Sequence, residues 1–173
     1  MPMSGEFQYA RYPRDEWRDE LLKMKAGGLD TVAFYVFWVH HEEERGKFDW
    51  SGQRSLRDFL KLCQELGLKA IPRLMPGHGG EVRNLGIPEW VAAVGGAPRS
   101  ADPAFIKCVE PFWRETAKQM EGLLWKDGGP VIGLQVENES SNAPYLQKLK
   151  ELARSVGIDV PLYFMTAVSC PKA

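Results

Sequence analysis

Val131-Ile132-Gly133-Leu134-Gln135-Val136-Glu137-Asn138-Glu139 is an apolar run that turns abruptly into carboxylates. Its body reads as a buried strand, and acidic residues at a strand's end point to chemistry rather than packing. Side chains alternate along a strand, so Ile132, Leu134 and Val136 share one apolar face while Val131, Gly133, Gln135, Glu137 and Glu139 share the other. In an α/β barrel the first set meets the surrounding helices. The second set then points inward, with Glu139 nearest the C-terminal mouth, where barrel enzymes carry their catalytic groups.

The pattern on either side of this run alternates in type. Glu6 to Tyr12 reads as a short strand, and Trp17, Leu21 and Met24 recur at helical spacing between Pro13 and Gly27-Gly28. Thr31 to Trp38 is rich in β-branched and aromatic residues and reads as a strand. Leu56 to Leu66 carries Leu56, Phe59, Leu60 and Cys63 on one helical face, with Gly67 behind it. Leu68 to Leu74 is a third strand, although Pro72 removes a ladder donor from it. The Gly- and Pro-rich segment from Met75 to Ala101 is too long for an idle connection and is expected to help build a site.

Asp102-Pro103 is a cap followed by proline at the first helical position. Phe105, Val109, Phe112, Trp113 and Met120 continue that helix, in which Pro111 implies a kink. A helix around Tyr145 to Val156, stopped by Gly157, and a fifth strand from Pro161 to Ala167 complete the series. Strands alternating with amphipathic helices imply parallel pairing through right-handed crossovers. No strand is followed by a GxGxxG or GxxxxGK[ST] phosphate cradle, which disfavours an open nucleotide-binding sheet. A closed barrel takes about 250 residues, and the chain has 173. The reading is therefore a partial (β/α)8 TIM barrel, about the first five strands and four helices, with residues 1–173 as one unit cut after the fifth strand.

With 44% hydrophobic and 26% charged residues the composition is that of an ordinary soluble domain, for which a cytoplasmic setting is the expectation. A formal net charge of -1 lacks the electrostatic footprint of a nucleic-acid binder. No apolar run approaches the roughly 20 residues that span a bilayer, so no membrane partner is expected. Cys63, Cys108 and Cys170 are odd in number and widely spaced, without the pairing that marks a zinc site. Adjacent His40 and His41, with His78, lack metal-ligand spacing, so neither a metal nor any other cofactor is expected. Glu42-Glu43-Glu44 reads as a solvated charged run, and Trp38, Trp50 and Trp90 as core aromatics.

Several motifs together resemble the opening of family 35 glycoside hydrolases, which are mostly β-galactosidases. They are Ser4-Gly5-Glu6-Phe7-Gln8-Tyr9, Leu21 to Lys25, Tyr35-Val36-Phe37-Trp38, His41-Glu42, Gly46-Lys47-Phe48-Asp49 and Arg73. Glu81, Gly86-Ile87-Pro88-Glu89-Trp90, Gly129-Pro130 and Gln135 to Glu139 continue the series. The resemblance implies retaining hydrolysis of terminal β-linked sugars, with Glu139 as general acid/base and Asn138 on the sugar's 2-hydroxyl. It further implies that Tyr35 and Glu81 hydrogen-bond the galactosyl hydroxyls and that the Gly80 backbone lies against the sugar. Glu137 is then a supporting partner. The family's nucleophile lies on a seventh strand, which nothing here matches.

Some positions depart from the family pattern. Val39 stands where the family has Asn, Ser140-Ser141 where Tyr-Gly commonly follows Asn-Glu, and Leu74 to Gly79 replace an Arg-Pro-Gly-Pro-Tyr run. The implied partner is a β-galactoside or related β-linked oligosaccharide. The alternatives are a non-catalytic carbohydrate-binding remnant and one piece of a split enzyme. Open barrel edges would favour self-association.

Overall fold

The computed structural model describes residues 3–77 and 82–165. Five strands form one parallel sheet: β1 (Ser4–Glu6), β2 (Thr31–Tyr35), β3 (Lys69–Arg73), β4 (Leu134–Asn138) and β5 (Leu162–Met165). Their spatial order is β1-β2-β3-β4-β5, each strand pairing with the next in sequence. A doubly wound sheet reverses its strand order at a switch point. This one does not, and it is a partial (β/α)8 barrel.

Four long helices make the crossovers: α1 (Trp17–Ala26), α3 (Leu56–Glu65), α5 (Pro103–Met120) and α6 (Ala143–Ser155). Two shorter ones, α2 (Trp38–His41) and α4 (Glu89–Val94), lie in loops that follow strands. Side-chain caps open three of the four long helices, and of these caps the sequence reading marked Asp102. Ser55, Asp102 and Asn142 side chains accept the backbone N–H groups of Asp58, Ala104 and Tyr145. Gly67, at φ +68°, closes α3 in a left-handed conformation that other residues adopt at a cost. The α5 assignment runs unbroken through Pro111, which sits on the solvent face beside exposed Lys107, where a carbonyl deprived of its helical donor can still be hydrated.

The core lies between sheet and helices. Val32, Phe34, Ala70, Leu134 and Val136 from the strands meet Trp17, Leu21, Phe59, Leu60, Phe105, Phe112 and Leu149 from the helices. Phe59 is its centre in the N-terminal part, with ring centroids 5.0 Å from Tyr9 and Phe34 and 5.3 Å from Trp17. Cys63 and Cys108 are buried free thiols, and burial pushes the Cys63 thiol up to about 12. Cys170 and His78 lie outside the described residues.

Four strands differ from the sequence reading. The first strand ends at Glu6, and Tyr9–Arg11 form a 3-10 turn. The ladder is continued by a side chain, since Gln8 Oε1 accepts the Tyr35 N–H at 2.8 Å where a backbone carbonyl would stand. The second strand stops at Tyr35, and Trp38 opens a helical turn instead of ending the strand. The fifth strand begins at Leu162, and the expected end at Ala167 lies outside the described residues.

The fourth strand is shorter than read, and irregular. Ala70 N–H donates to Pro130 O and Leu74 N–H to Gln135 O, so a four-residue step on β3 matches a five-residue step on its neighbour. This is a one-residue bulge, and it displaces the alternation. Val131 joins the core cluster, whereas Ile132, expected there, is only half-buried. Pro72 sits opposite this bulge, midway between Ala70 and Leu74, where the ladder is already open.

Candidate active site

One row of side chains crosses the interior face of the sheet. Register aligns Tyr35 with Arg73, Arg73 with Gln135, and Gln135 with Tyr163. The Arg73 guanidinium lies over the Tyr35 ring, 4.1 Å from its centroid, and its Nη1 is paired with the Glu6 carboxylate. Burial, opposed by the Arg73 charge, raises the pKa of the Tyr163 phenol. Tyr35 is half-buried, on the same face as Ala33, while Val32 and Phe34 face the helices.

Beyond this row, β4 runs into a buried polar network. A second register shift, against β5, falls between Gln135 and Glu137. Regular alternation would put Gln135 and Glu137 on one face, but the side chains divide differently. Gln135 Nε2 donates to Asn138 Oδ1 at 3.2 Å and to the Glu137 carbonyl at 3.1 Å. The Glu137 carboxylate instead turns to the helical side, toward Tyr145 of α6 and toward Arg99, which follows α4. The expectation of an inward Glu137 is therefore corrected: the bulge places Val136 and Glu137 consecutively on the helical side.

Glu137 is fully buried, and its Oε1 accepts from Arg99 Nη2 at 3.0 Å and from the Asn138 N–H at 2.8 Å. The same Arg99 Nη2 donates to the Asn138 carbonyl at 2.7 Å. Burial and the neighbouring Glu137 charge raise the pKa of the Tyr145 phenol. Asn138 is the last strand residue and is 8% exposed. Glu139 comes one residue later, at φ +55°, and is exposed. A left-handed turn, rather than strand alternation, thus directs its carboxyl.

Of the residues singled out from the sequence, Tyr35 ends β2 and Asn138 ends β4, two strands separated by β3, with Glu139 just past the end of β4. Gly80 and Glu81 lie outside the described residues. Glu42, read as part of a solvated run, is instead 1% exposed. Its carboxylate accepts from Trp38 Nε1 at 2.7 Å and from the Gly46 N–H at 2.8 Å, an anchor for the loop after α2. Burial raises its pKa despite these donors.

His41 is committed to structure as well. Its Nδ1 bonds the Asp49 carbonyl at 2.9 Å and its Nε2 the Tyr9 hydroxyl at 3.0 Å. Sequence reasoning missed Arg99 and Tyr163. Nothing in the periodicity marks Arg99, but a glutamate inside an apolar strand needs a cation near it, and Arg99 was the signal's other half.

The model of glycosyl hydrolases family 35 matches residues 1–171. The chain belongs to that family. It is 37% identical over 168 residues to the β-galactosidase of Canis lupus familiaris, covering 93% of this chain and 25% of that protein. It is 39% identical over 155 residues to human β-galactosidase-1-like protein 2, covering 85% of this chain and 24% of that one. The family 35 chain therefore spans about a quarter of the length of the curated relatives it matches. Among solved structures, the exo-β-1,4-mannosidase Op5Man5 from Opitutaceae bacterium strain TAV5 superposes with a TM-score of 0.73 at 19% identity. That match covers 94% of this chain and 31% of the mannosidase and carries the fold alone.

Proposed function

We propose that this family 35 chain supplies the acid/base half of a retaining β-galactosidase site. The observation that carries this reading is the Asn138–Glu139 pair at the C-terminal end of β4. Glu139 is exposed and leaves the strand at φ +55°, next to an amide whose oxygen is already engaged by Gln135. In such a site Glu139 protonates the leaving glycosidic oxygen and later deprotonates the water that releases the sugar. The Asn138 amide donors bind the 2-hydroxyl, a bond that strengthens as the oxocarbenium-like transition state forms. Tyr35, held by Arg73, extends the sugar subsite, and Glu81 and Gly80 belong to the same reading.

A retaining mechanism needs a second carboxylate about 5 Å from the first, and that nucleophile is expected from a further strand outside this chain. The relatives' greater length agrees with this, as does the pairing of β1 and β5 on one side only among the described residues. Those edges also favour self-association or completion by a second segment.

The test is an assay of the purified chain with 4-nitrophenyl β-galactoside, alongside binding of 1-deoxygalactonojirimycin followed by amide shifts. Saturable binding at Asn138 and Glu139 without turnover is expected. Turnover that survives repurification and disappears in Glu139→Gln would overturn the assignment of the nucleophile to another segment.

A further inference from the structure

Neither the Asn-Glu motif nor the strand pattern calls for Arg99, yet one of its nitrogens touches both residues that precede Glu139. We propose that Arg99 is a positioning residue for the Asn138–Glu139 pair, a role that rests on the glycosidase reading above. Its Nη2 ties the Glu137 carboxylate to the Asn138 carbonyl and so fixes the turn that swings Glu139 out of the sheet.

The argument starts from strain. A non-glycine residue at φ +55° is held in a sparsely populated, strained region, and it stays there only where its surroundings over-determine it. The Asn138 carbonyl belongs to the peptide plane that leads into Glu139. Rotation about Asn138 ψ or Glu139 φ, which would relax the turn, changes how that plane is set against the chain on either side. The bond from Arg99 at 2.7 Å therefore acts on the torsions that aim the Glu139 carboxyl. From the other side, the Asn138 N–H is held by Glu137 and the Asn138 side chain by Gln135.

Arg99 is itself fixed. It lies at φ +52° in a loop tied to the start of α5, where Asp102 Oδ2 accepts the Ala97 N–H and Ser100 Oγ donates to the Ala97 carbonyl. Two left-handed non-glycine residues are thus joined through one peptide group and one guanidinium. A counter-ion for buried Glu137 needs only proximity to the carboxylate, and the second bond, to Asn138 O, is what proximity alone does not explain.

Charge and position can be separated by variants of the whole chain. Arg99→Gln leaves Glu137 buried and unpaired, which risks unfolding. The double variant Arg99→Met with Glu137→Gln removes the buried ion pair without leaving a lone charge, keeps an acceptor for the Asn138 N–H and deletes the donor to Asn138 O. Its readout is the Glu139 HN–Hα coupling and amide shifts by NMR, with the urea midpoint as a check on folding.

In the double variant the Glu139 left-handed signature should be lost while the chain remains folded, and affinity for 1-deoxygalactonojirimycin should fall roughly tenfold. Arg99→Lys, whose ammonium can bridge the same two oxygens, should retain the signature. A double variant that keeps the Glu139 conformer, or a folded Arg99→Lys that loses it, overturns the proposal. Loss of the conformer in the double variant, with no iminosugar binding even by the unmodified chain, supports positioning by Arg99 and removes the glycosidase reading instead.

Discussion

In β2 the alternation is unbroken: Val32 and Phe34 pack among the helices, Ala33 and Tyr35 face the interior, and all five residues are in register with β3. In β4 the register slips on both sides, against β3 before the strand begins and against β5 between Gln135 and Glu137. The first strand is held by aromatic packing on its outer face, the second by a buried network of an amide, a carboxylate and a guanidinium at its end. Hydrophobic burial is non-directional and tolerates a regular ladder. Buried polar groups need partners at fixed distances, and their demands bend the backbone. The regular strand therefore serves as wall, and the irregular one aims side chains.

That division is most exposed to a cut through the wall. Phe59 is fully buried among Phe7, Tyr9, Trp17 and Phe34, so Phe59→Ala should cost about 3–5 kcal/mol, read as a fall in the urea midpoint at constant slope. Removing one member of the polar network, by Gln135→Ala, should cost only about 1–2 kcal/mol, because it deletes two modest hydrogen bonds. Equal losses in the two variants would erase the distinction between a wall that stabilises and an end that positions.

What the sequence made legible follows the same line. Helices α1, α3, α5 and α6 and the parallel order were readable because amphipathic periodicity, the Asp102 cap and the glycines that end helices are local signals. The family motif pointed to Asn138 and Glu139 as the candidate pair. It could not say how the pair is held, because Glu137 and the Asn138 carbonyl are bonded by Arg99, which comes from a distant loop. The β1 boundary was lost for a related reason: Gln8 completes the ladder with its side chain, which no backbone pattern reveals. Glu42 looked solvated because its charge is local, whereas its two donors and its burial belong to the folded loop.

The aromatic packing of the wall includes a buried histidine, and pH reads it. His41 stacks on Trp50 with ring centroids 4.1 Å apart, and burial lowers its pKa from 6.5 to about 4. The Asp49 carbonyl can only accept, so Nδ1 carries the proton and Nε2 accepts from the Tyr9 hydroxyl. Because the folded state resists protonation more than the unfolded chain, the contribution is complete above pH 6.5 and is lost progressively as pH falls toward 4, by up to about 3 kcal/mol. Urea midpoints between pH 7.5 and 5 should fall in the native chain and flatten in His41→Gln. An identical slope in both would show that His41 does not govern acid sensitivity in this window.

The smallest effect is expected at the seam between the two regions, and it tests whether the β3–β4 slip belongs to β4 or to Pro72. Residues of β3 that face β4 donate at Ala70 and Leu74, with Pro72 between them opposite the extra residue of the bulge. If the proline caused the slip, restoring an N–H would allow a regular ladder and stabilise the sheet. If the polar network at the end of β4 sets the register, a new donor finds no carbonyl in place and the bulge persists. The second account predicts that Pro72→Val costs about 0.4–1 kcal/mol, the conformational freedom the unfolded chain regains without proline. It adds that the Asn138 and Glu139 amide shifts remain where they were. A gain in stability accompanied by movement of those two amides would assign the register of β4 to Pro72 and take it away from the network around Glu137.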